Sequence, residues 1–298
     1  MRARLPILLA LAAASCRPDL GDRDSLVTSE RILAVRGEPP EARPGEPVSY
    51  TILVANAQGT IAVPPVNWAF CASPKLLSEN NVVSPDCVAD AVRPFANGTP
   101  APTANIPDDA CAIFGPETPP GGLRPHDPDV TGGFYQPVRA EVDAKIAFGL
   151  ERVLCHLANA SADVAGDFAK RYVPNKNPSL GALVATVDGA PRPLDRLPAG
   201  KPVRIALAWP LEDAESYVTF DIASQTLLDH REAMRVSWFV SGGELDADRT
   251  GRTETEMIAG TDNGWMPPSN PTQIQLWIVL RDSRGGMAFA TYTLTTTR

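Results

Sequence analysis

The sequence predicts an all-β protein, and three observations lead to that prediction. Thirty prolines and 22 glycines among 298 residues indicate many turns and edge segments. Short apolar runs recur along the chain, several alternate with period two, and turn residues separate them. The last two runs, residues 274–281 and 287–296, are joined by a turn containing Gly285 and Gly286, which can adopt positive φ angles. We therefore predict a closing β-hairpin with a buried first strand and an exposed turn at residues 282–286.

The first 15 residues have the features of a bacterial lipoprotein signal. Residues 1–4 are basic, and residues 5–12 form an apolar run too short to span a bilayer. Residues 13–16 resemble a lipobox, with Ala13 where leucine is more common. We predict that Cys16 is lipidated and anchors the protein to the membrane, and by the same resemblance Arg17 favours the outer membrane. The alternative is an ordinary secretory signal with a chance cysteine.

The first domain is predicted at residues 31–178, after a polar lipid-anchored tether at residues 16–30. Its first strands are separated by proline-containing turns, and the third strand carries Trp68. This order is typical of the start of an immunoglobulin-like β-sandwich. Residues 72–133 show no regular pattern and predict a long loop insertion. One α-helix is predicted at residues 161–171, where the first residue is a serine that can cap it.

The remaining cysteines predict disulfides. Cys71, Cys87, Cys111 and Cys155 are an even set in an exported protein, which indicates two bridges with three possible pairings. We prefer Cys71 with Cys87 and Cys111 with Cys155, because the first pair brackets a compact polar loop. The spacings do not match those of a zinc site. Such bridges would pin the insertion by lowering the entropy of its unfolded state.

A second immunoglobulin-like domain is predicted at residues 179–298. Residues 200–203 repeat the glycine, charge, proline and valine order of residues 45–48. The tryptophan-bearing run at residues 235–240 likewise repeats the one at residues 66–70. The sequence therefore predicts two β-sandwiches of similar plan.

Several segments together resemble lipoproteins of myxobacteria and related deltaproteobacteria. The similarity lies in residues 276–286 following residues 237–243, and it extends through the lipobox and residues 38–40, 68–71 and 177–178. The C-terminal parts of those lipoproteins are similar to polycystic-kidney-type and immunoglobulin-like modules. The resemblance implies a fold and an envelope address, and it brings no catalytic residues.

Candidate binding residues are few. Asp246, Asp248 and Thr250 stand at the first, third and fifth positions of a calcium-type loop, but Met257 occupies the twelfth, so a polar loop is the preferred interpretation and no metal site is predicted. Trp265 lies in a Gly-Trp-Met-Pro-Pro segment and is a candidate for stacking on a sugar from an exposed loop.

The composition also limits the function. A formal net charge of −8 argues against a nucleic-acid partner, because no basic stripe is present to displace counterions from phosphates. No nucleophile elbow, phosphate loop or HExxH helix is present, so we predict neither a catalytic residue nor a cofactor. We predict a lipid-anchored envelope protein with a non-enzymatic binding or structural role and an envelope protein or glycan as partner. The alternatives are a carbohydrate- or surface-ligand-binding adhesin and a periplasmic enzyme with a site assembled from distant residues.

Overall fold

The computed structural model describes four ranges of the chain, residues 23–74, 83–115, 133–157 and 159–298. The predicted signal and Cys16 lie outside these ranges. Within them the protein consists mainly of β-strands arranged in two sandwiches. No described helix combines the length and apolar character needed to cross a bilayer.

The described part of the first sandwich contains nine strands in two sheets. They are β1 (Arg31–Glu38), β2 (Glu41–Ala42), β3 (Pro47–Asn56), β4 (Gly59–Thr60), β5 (Asn67–Cys71), β6 (Val92–Ala96), β7 (Thr103–Asn105), β8 (Gly133–Val142) and β9 (Lys145–Leu154). One sheet has the order β1-β3-β4, with β7 also pairing with β3, and the other has the order β2-β9-β8-β5-β6. Alternating apolar side chains from both sheets fill the space between them.

The second sandwich and an added hairpin contain twelve strands. They are β10 (Leu183–Val187), β11 (Ala190–Arg192), β12 (Leu197–Pro198), β13 (Val203–Ala208), β14 (Ser216–Asp221), β15 (Thr226–Arg231), β16 (Met234–Val240), β17 (Glu244–Leu245), β18 (Arg249–Arg252), β19 (Gly260–Met266), β20 (Gln273–Arg281) and β21 (Met287–Thr297). The sheets have the orders β11-β10-β13-β19-β17 and β12-β21-β20-β16-β18, and β14 pairs with β15 alone.

The two sandwiches share one topology. In each, the first long strand pairs with the second, and a short strand that follows the first runs parallel to the last, as β2 does with β9 and β12 with β21. The remaining pairings described between strands are antiparallel. Trp68 on β5 and Trp238 on β16 occupy equivalent strands, and both are buried. This confirms the predicted repeat and the immunoglobulin-like plan.

The predicted helix is confirmed as α2 (Ala162–Arg171), and a short α1 (Ala110–Ile113) precedes it in the chain. Ser161 Oγ accepts a hydrogen bond from Val164 N at 3.4 Å, as an N-cap should. Phe168 is buried on one face of α2, and its ring stacks on Tyr172 with centroids 4.9 Å apart. The helix thus places Tyr172 at the edge of the domain interface.

Both preferred disulfides are confirmed, Cys71 with Cys87 and Cys111 with Cys155. The prediction that residues 72–133 hold no regular element is wrong for the described part, because β6, β7 and α1 lie there and the two strands extend the sheets. Short edge strands such as Val92–Ala96, which contains Pro94, carry too little periodicity to be recognised.

The end of the predicted tether is also corrected. Val27 is fully buried, and its N–H donates to Val240 O at 2.8 Å, while Val240 N donates to Ser25 O at 2.8 Å. Residues 23–27 therefore pack against the second sandwich before the chain enters the first.

The closing hairpin forms as predicted, and β20 is buried on both faces. Leu276, Ile278 and Leu280 point into the core of the second sandwich, whereas Trp277 and Val279 belong to a separate apolar cluster. That cluster includes Leu33 and Leu53. The second apolar face of β20 is therefore explained by the first sandwich, which covers it.

Candidate functional site

The two sandwiches meet through an apolar patch on the outer face of β20 and β21. Leu33 and Leu53 of the first sandwich pack there against Trp277 and Val279 of the second. The Trp277 indole N–H also donates to Thr60 Oγ1 at 2.9 Å, which adds a hydrogen bond between the two sandwiches. The patch fixes the position of the hairpin turn that follows β20.

This turn, residues 282–286, was predicted to be exposed, and that prediction is wrong for Asp282, Arg284 and Gly286, which are buried, whereas Ser283 is exposed. Asp282 is buried, and its Oδ1 accepts hydrogen bonds from Arg284 N and Gly286 N, each at 2.8 Å. Gly285 has φ +109°, a conformation that favours glycine. Gly286 has an ordinary φ, and glycine is needed there for space, because a Cβ would lie 2.0 Å from Asp282 Oδ2 and 2.7 Å from Lys176 O. First-domain residues cover the turn, since Tyr135 OH donates to Arg284 O at 3.2 Å.

Arg284 is the central cation of the buried turn, with 2% of its surface exposed. Its Nε donates to Glu232 Oε1 at 2.6 Å, its Nη2 to Glu215 Oε2 at 3.0 Å and its Nη1 to Val173 O at 2.6 Å. The guanidinium also lies over the Tyr217 ring, 4.6 Å from the centroid. Arg284 thus links the closing hairpin to the segment that joins the two domains.

A second buried arginine lies on the first-domain side. Arg152 forms a salt bridge with Glu41 at 3.5 Å and donates from Nε to Tyr172 OH at 3.4 Å. Tyr172 OH donates in turn to Glu41 at 2.7 Å. Asn175 bridges the two halves, because its N–H donates to Glu41 Oε2 at 2.9 Å and its Nδ2 lies 3.5 Å from Asp282 Oδ1.

We call this group of side chains the interdomain ion cluster. Its members come from both sandwiches and from the segment between them: Glu41, Arg152, Tyr172, Asn175, Glu215, Glu232, Asp282 and Arg284. Two arginines thus share a buried site with four carboxyl groups. Because burial penalises uncompensated charge, the cluster favours retention of protons by some of its acids.

The carboxyl groups nearest Arg284 show this effect. Burial raises the pKa of Glu232 to about 8, and the negative charge of Asp282 adds to the shift. Burial likewise raises the pKa of Asp282. Both Glu232 oxygens accept N–H donors, at 2.6 Å from Arg284 and 3.0 Å from Glu215 N, whereas Asp282 Oδ2 has no hydrogen-bond partner among the described residues. The two carboxyl groups together therefore hold a proton more tightly than free carboxyl groups do.

The arrangement suits a fixed joint between domains. Three donors of Arg284 bond to protein acceptors, which are the carboxylates of Glu215 and Glu232 beside β14 and β15 and the carbonyl of Val173 in the connecting segment. Separation of the sandwiches would break the bonds that Asn175 makes to Glu41 and Asp282 and the bond from Tyr135 OH to Arg284 O. The cluster thus favours one relative orientation of the sandwiches.

The structure places the other predicted site residues apart from this cluster. Trp265 is on β19 with 1% of its surface exposed, and its Nε1 donates to Gly242 O at 3.1 Å, so the prediction of an exposed sugar-stacking residue is wrong. Thr250 Oγ1 accepts from the Trp238 indole at 2.9 Å, and Asp248 Oδ1 accepts from Ser25 Oγ at 2.5 Å.

The calcium-ligand candidates Asp248 and Thr250 thus bond to different protein groups. Asp246, Asp248 and Thr250 form no shared ligand set, and the described ranges contain no group of three or more histidine, cysteine, aspartate or glutamate residues able to hold a metal ion. Cys16 lies outside the described residues, so its lipidation stays a prediction.

Comparisons with known proteins add no family. No family model and no curated protein matches the sequence. Among solved structures, the adhesin InvE of Yersinia pseudotuberculosis is similar at 10% identity and a TM-score of 0.24, over 93% of this chain and 62% of that chain. The alpha-2-macroglobulin of E. coli has 9% identity and a TM-score of 0.27, over 90% of this chain and 17% of that chain. A beta-glycosidase from Bacteroides vulgatus has 10% identity and a TM-score of 0.23, over 90% of this chain and 24% of that chain. This chain spans less than two thirds of each of these proteins, and the similarity at this level carries no functional argument.

Proposed function

We propose that this chain is a lipid-anchored, non-enzymatic protein of the cell envelope whose two sandwiches act as one rigid binding or structural module. The observation that carries the proposal is the interdomain ion cluster. Arg284 and Arg152 each form salt bridges within their own sandwich, and the bonds of Asn175 to Glu41 and Asp282 and of Tyr135 OH to Arg284 O connect the two sides. A rigid two-domain body presents its outer loops and edges in a fixed geometry, which suits a partner that contacts both domains.

The non-enzymatic part of the proposal is supported by how the buried charges are used. Arg284 donates to Glu232, Glu215 and Val173 O, and Glu41 accepts from Tyr172 and Asn175. Charged groups that are bonded to protein partners in this way are suited to holding a structure.

The anchored part is supported by the sequence of the amino terminus. The basic and apolar runs before Cys16 match a lipoprotein signal, and the disulfides Cys71–Cys87 and Cys111–Cys155 suit an oxidising compartment. An acylated cysteine carries enough alkyl carbon for stable membrane attachment.

Fractionation of bacteria that express the full chain tests the anchor. The protein should sediment with membranes and incorporate an alkyne-labelled fatty acid, whereas Cys16→Ser should lose the label and leave the membrane fraction. Cys155→Ser with Cys111→Ser is the matched control, because it removes two other cysteines and should keep the label. An unlabelled wild-type protein would refute the anchor.

A distance measurement tests the rigid module. Spin labels on Asn97→Cys and Ala190→Cys, at exposed sites on different sandwiches, should give one narrow distance distribution in the full chain carrying Cys16→Ser. The same labels with Arg284→Met should give a broader distribution. A broad distribution before that substitution would contradict a rigid module.

A further inference from the structure

Three arginines without a described salt-bridge partner lie on one face of the second sandwich. Arg281 lies directly opposite Arg235 in the β16–β20 register, and Arg249 lies opposite Ser237 across the β16–β18 pair. Directly opposed residues of neighbouring strands project from the same face. No described carboxylate forms a salt bridge with any of these arginines, in contrast to the paired Arg284. A local positive potential therefore exists on a chain whose net charge is −8.

Arg281 is the most enclosed of the three. Its side chain is half-buried, and its one described hydrogen bond runs from Nη1 to Ser237 Oγ at 3.3 Å. Burial, together with the positive charge of Arg249, lowers the pKa of Arg281 to about 10. A guanidinium offers five donors, so most of this group's bonding capacity is free to meet an anion.

An apolar groove begins at Arg281. Its volume is about 270 Å³, and it lies between the first sandwich and the start of the closing hairpin. Most of its lining is aliphatic or aromatic: Ile32, Val35, Phe148, Leu150 and Met287. The groove therefore combines an apolar wall with one cation, the pattern of a site for an amphiphile.

We propose that the groove binds a single small amphiphilic anion, an alkyl carboxylate whose chain lies against β1 and β9 and whose carboxylate pairs with Arg281. Carboxylates bind guanidinium groups through two parallel hydrogen bonds, and the free donors of Arg281 allow this geometry. Arg235 and Arg249 add favourable potential around the head group. The proposal rests on the binding role given above and names its ligand class.

The size of the groove limits the chain length. One water occupies about 30 Å³ of liquid, so the groove holds roughly nine heavy atoms of similar size. A ten-carbon acid with its carboxylate at the mouth matches this volume. The half-buried position of Arg281 requires the head group to enter the groove mouth, which a headgroup fixed in a flat bilayer would do less readily than a free monomer.

Titration calorimetry of the full chain carrying Cys16→Ser tests the site with decanoate below its micelle concentration. We expect one decanoate per chain, and at least tenfold weaker binding of decanol, which lacks the charge, and of acetate, which lacks the chain. Arg281→Gln should weaken decanoate binding at least tenfold, and Arg249→Gln two- to fivefold. Arg192→Gln, on the exposed edge strand β11, removes the same charge elsewhere and should leave affinity within twofold.

Three results would overturn the proposal: no decanoate binding, unchanged affinity in both Arg281→Gln and Arg249→Gln, or binding only to vesicles that contain phosphatidylglycerol. Arg249 is exposed, so Arg249→Gln should not disturb the fold. The affinity of this variant therefore decides the test if Arg281→Gln lowers the melting temperature. None of these results changes the fractionation or spin-label experiments, so failure of the ligand site is separable from failure of the proposed function.

Discussion

Replacement of Arg284 by methionine gives the sharpest test of the interdomain ion cluster. Methionine keeps much of the apolar stem and removes the cation, so Glu232 and Glu215 lose bonds of 2.6 and 3.0 Å and stay buried. Removing one partner from a buried ion pair costs about 3–5 kcal/mol. We therefore expect Arg284→Met to lower the free energy of unfolding by that amount at pH 8, measured by urea denaturation with tryptophan fluorescence.

The loss should depend on pH in a defined direction. Without the guanidinium, the folded-state pKa of Glu232 should rise further above its present value of about 8. Glu232 holds its proton in both folded proteins up to about pH 7, so the variant and the wild type should lose stability in parallel over that range. The difference between them should widen only as pH rises above about 8, where the wild-type carboxyl ionises beside Arg284 and the variant carboxyl does not. The double variant Arg284→Met/Glu232→Gln removes one stranded charge and should recover at least about 1 kcal/mol relative to additivity.

An exposed ion pair supplies the control. Arg204 on β13 pairs with Asp262 on β19, and 64% of the Arg204 side chain is exposed. Arg204→Met should cost no more than about 1 kcal/mol, because exposed pairs contribute little. If Arg284→Met costs no more than Arg204→Met at pH 8, or if its cost does not grow between about pH 7 and pH 9, the cluster does not act as we argue.

Three further expectations concern a titration, a close backbone approach and a disulfide. Burial raises the folded-state pKa of Glu232 from 4.5 to about 8, so its contribution to stability is present below pH 4.5 and is lost as pH rises through 8. Glu232→Gln should flatten this decline, measured as melting temperature against pH. An equally steep decline in the variant would contradict the assignment. Gly286→Ala should destabilise the protein by about 1–3 kcal/mol, because the added Cβ would lie 2.0 Å from Asp282 Oδ2. Gly166→Ala is the control, since its Cβ meets open space within α2 and should stabilise the protein by up to about 1 kcal/mol. Calorimetric melting that ranks the two variants in the opposite order would refute the steric argument. Loss of the bridge between Cys111 and Cys155, 44 residues apart, should cost about 4 kcal/mol in urea unfolding, and a loss below about 1 kcal/mol would show that the bridge does little to restrain the unfolded chain.

The strands that sequence reasoning found are those whose patterns are local. β3, β16 and β20 are long runs with regular alternation, and α2 has a serine cap and a proline shortly after its end. β19 was missed because its buried face carries Thr261 and Asn263 before Trp265, so its period-two burial is hidden by polar side chains. Burial of Trp265 follows from pairing with Val203, a contact 62 residues away that no local pattern contains.

The interdomain ion cluster could not be read from local patterns, since polar turn residues are normally exposed. One signal did point to it. Both faces of β20 are apolar, and a strand with two apolar faces needs a second covering layer beyond its own core. The turn at the end of such a strand must lie near that layer. The second apolar face of β20 is therefore the sequence signal that indicates burial of Asp282 and Arg284.

The closing hairpin also connects the cluster to the groove. Asp282 and Arg284 turn into the buried ion cluster, while Arg281 and Gly285, their immediate neighbours, line the groove. A change in the position of this turn would therefore alter the groove mouth, because its backbone is shared. In the rigid module that we propose, the Arg281 guanidinium would stay at a fixed distance from the apolar wall of β1 and β9. This preorganisation would favour binding of the proposed ligand, which has one charge and one short chain.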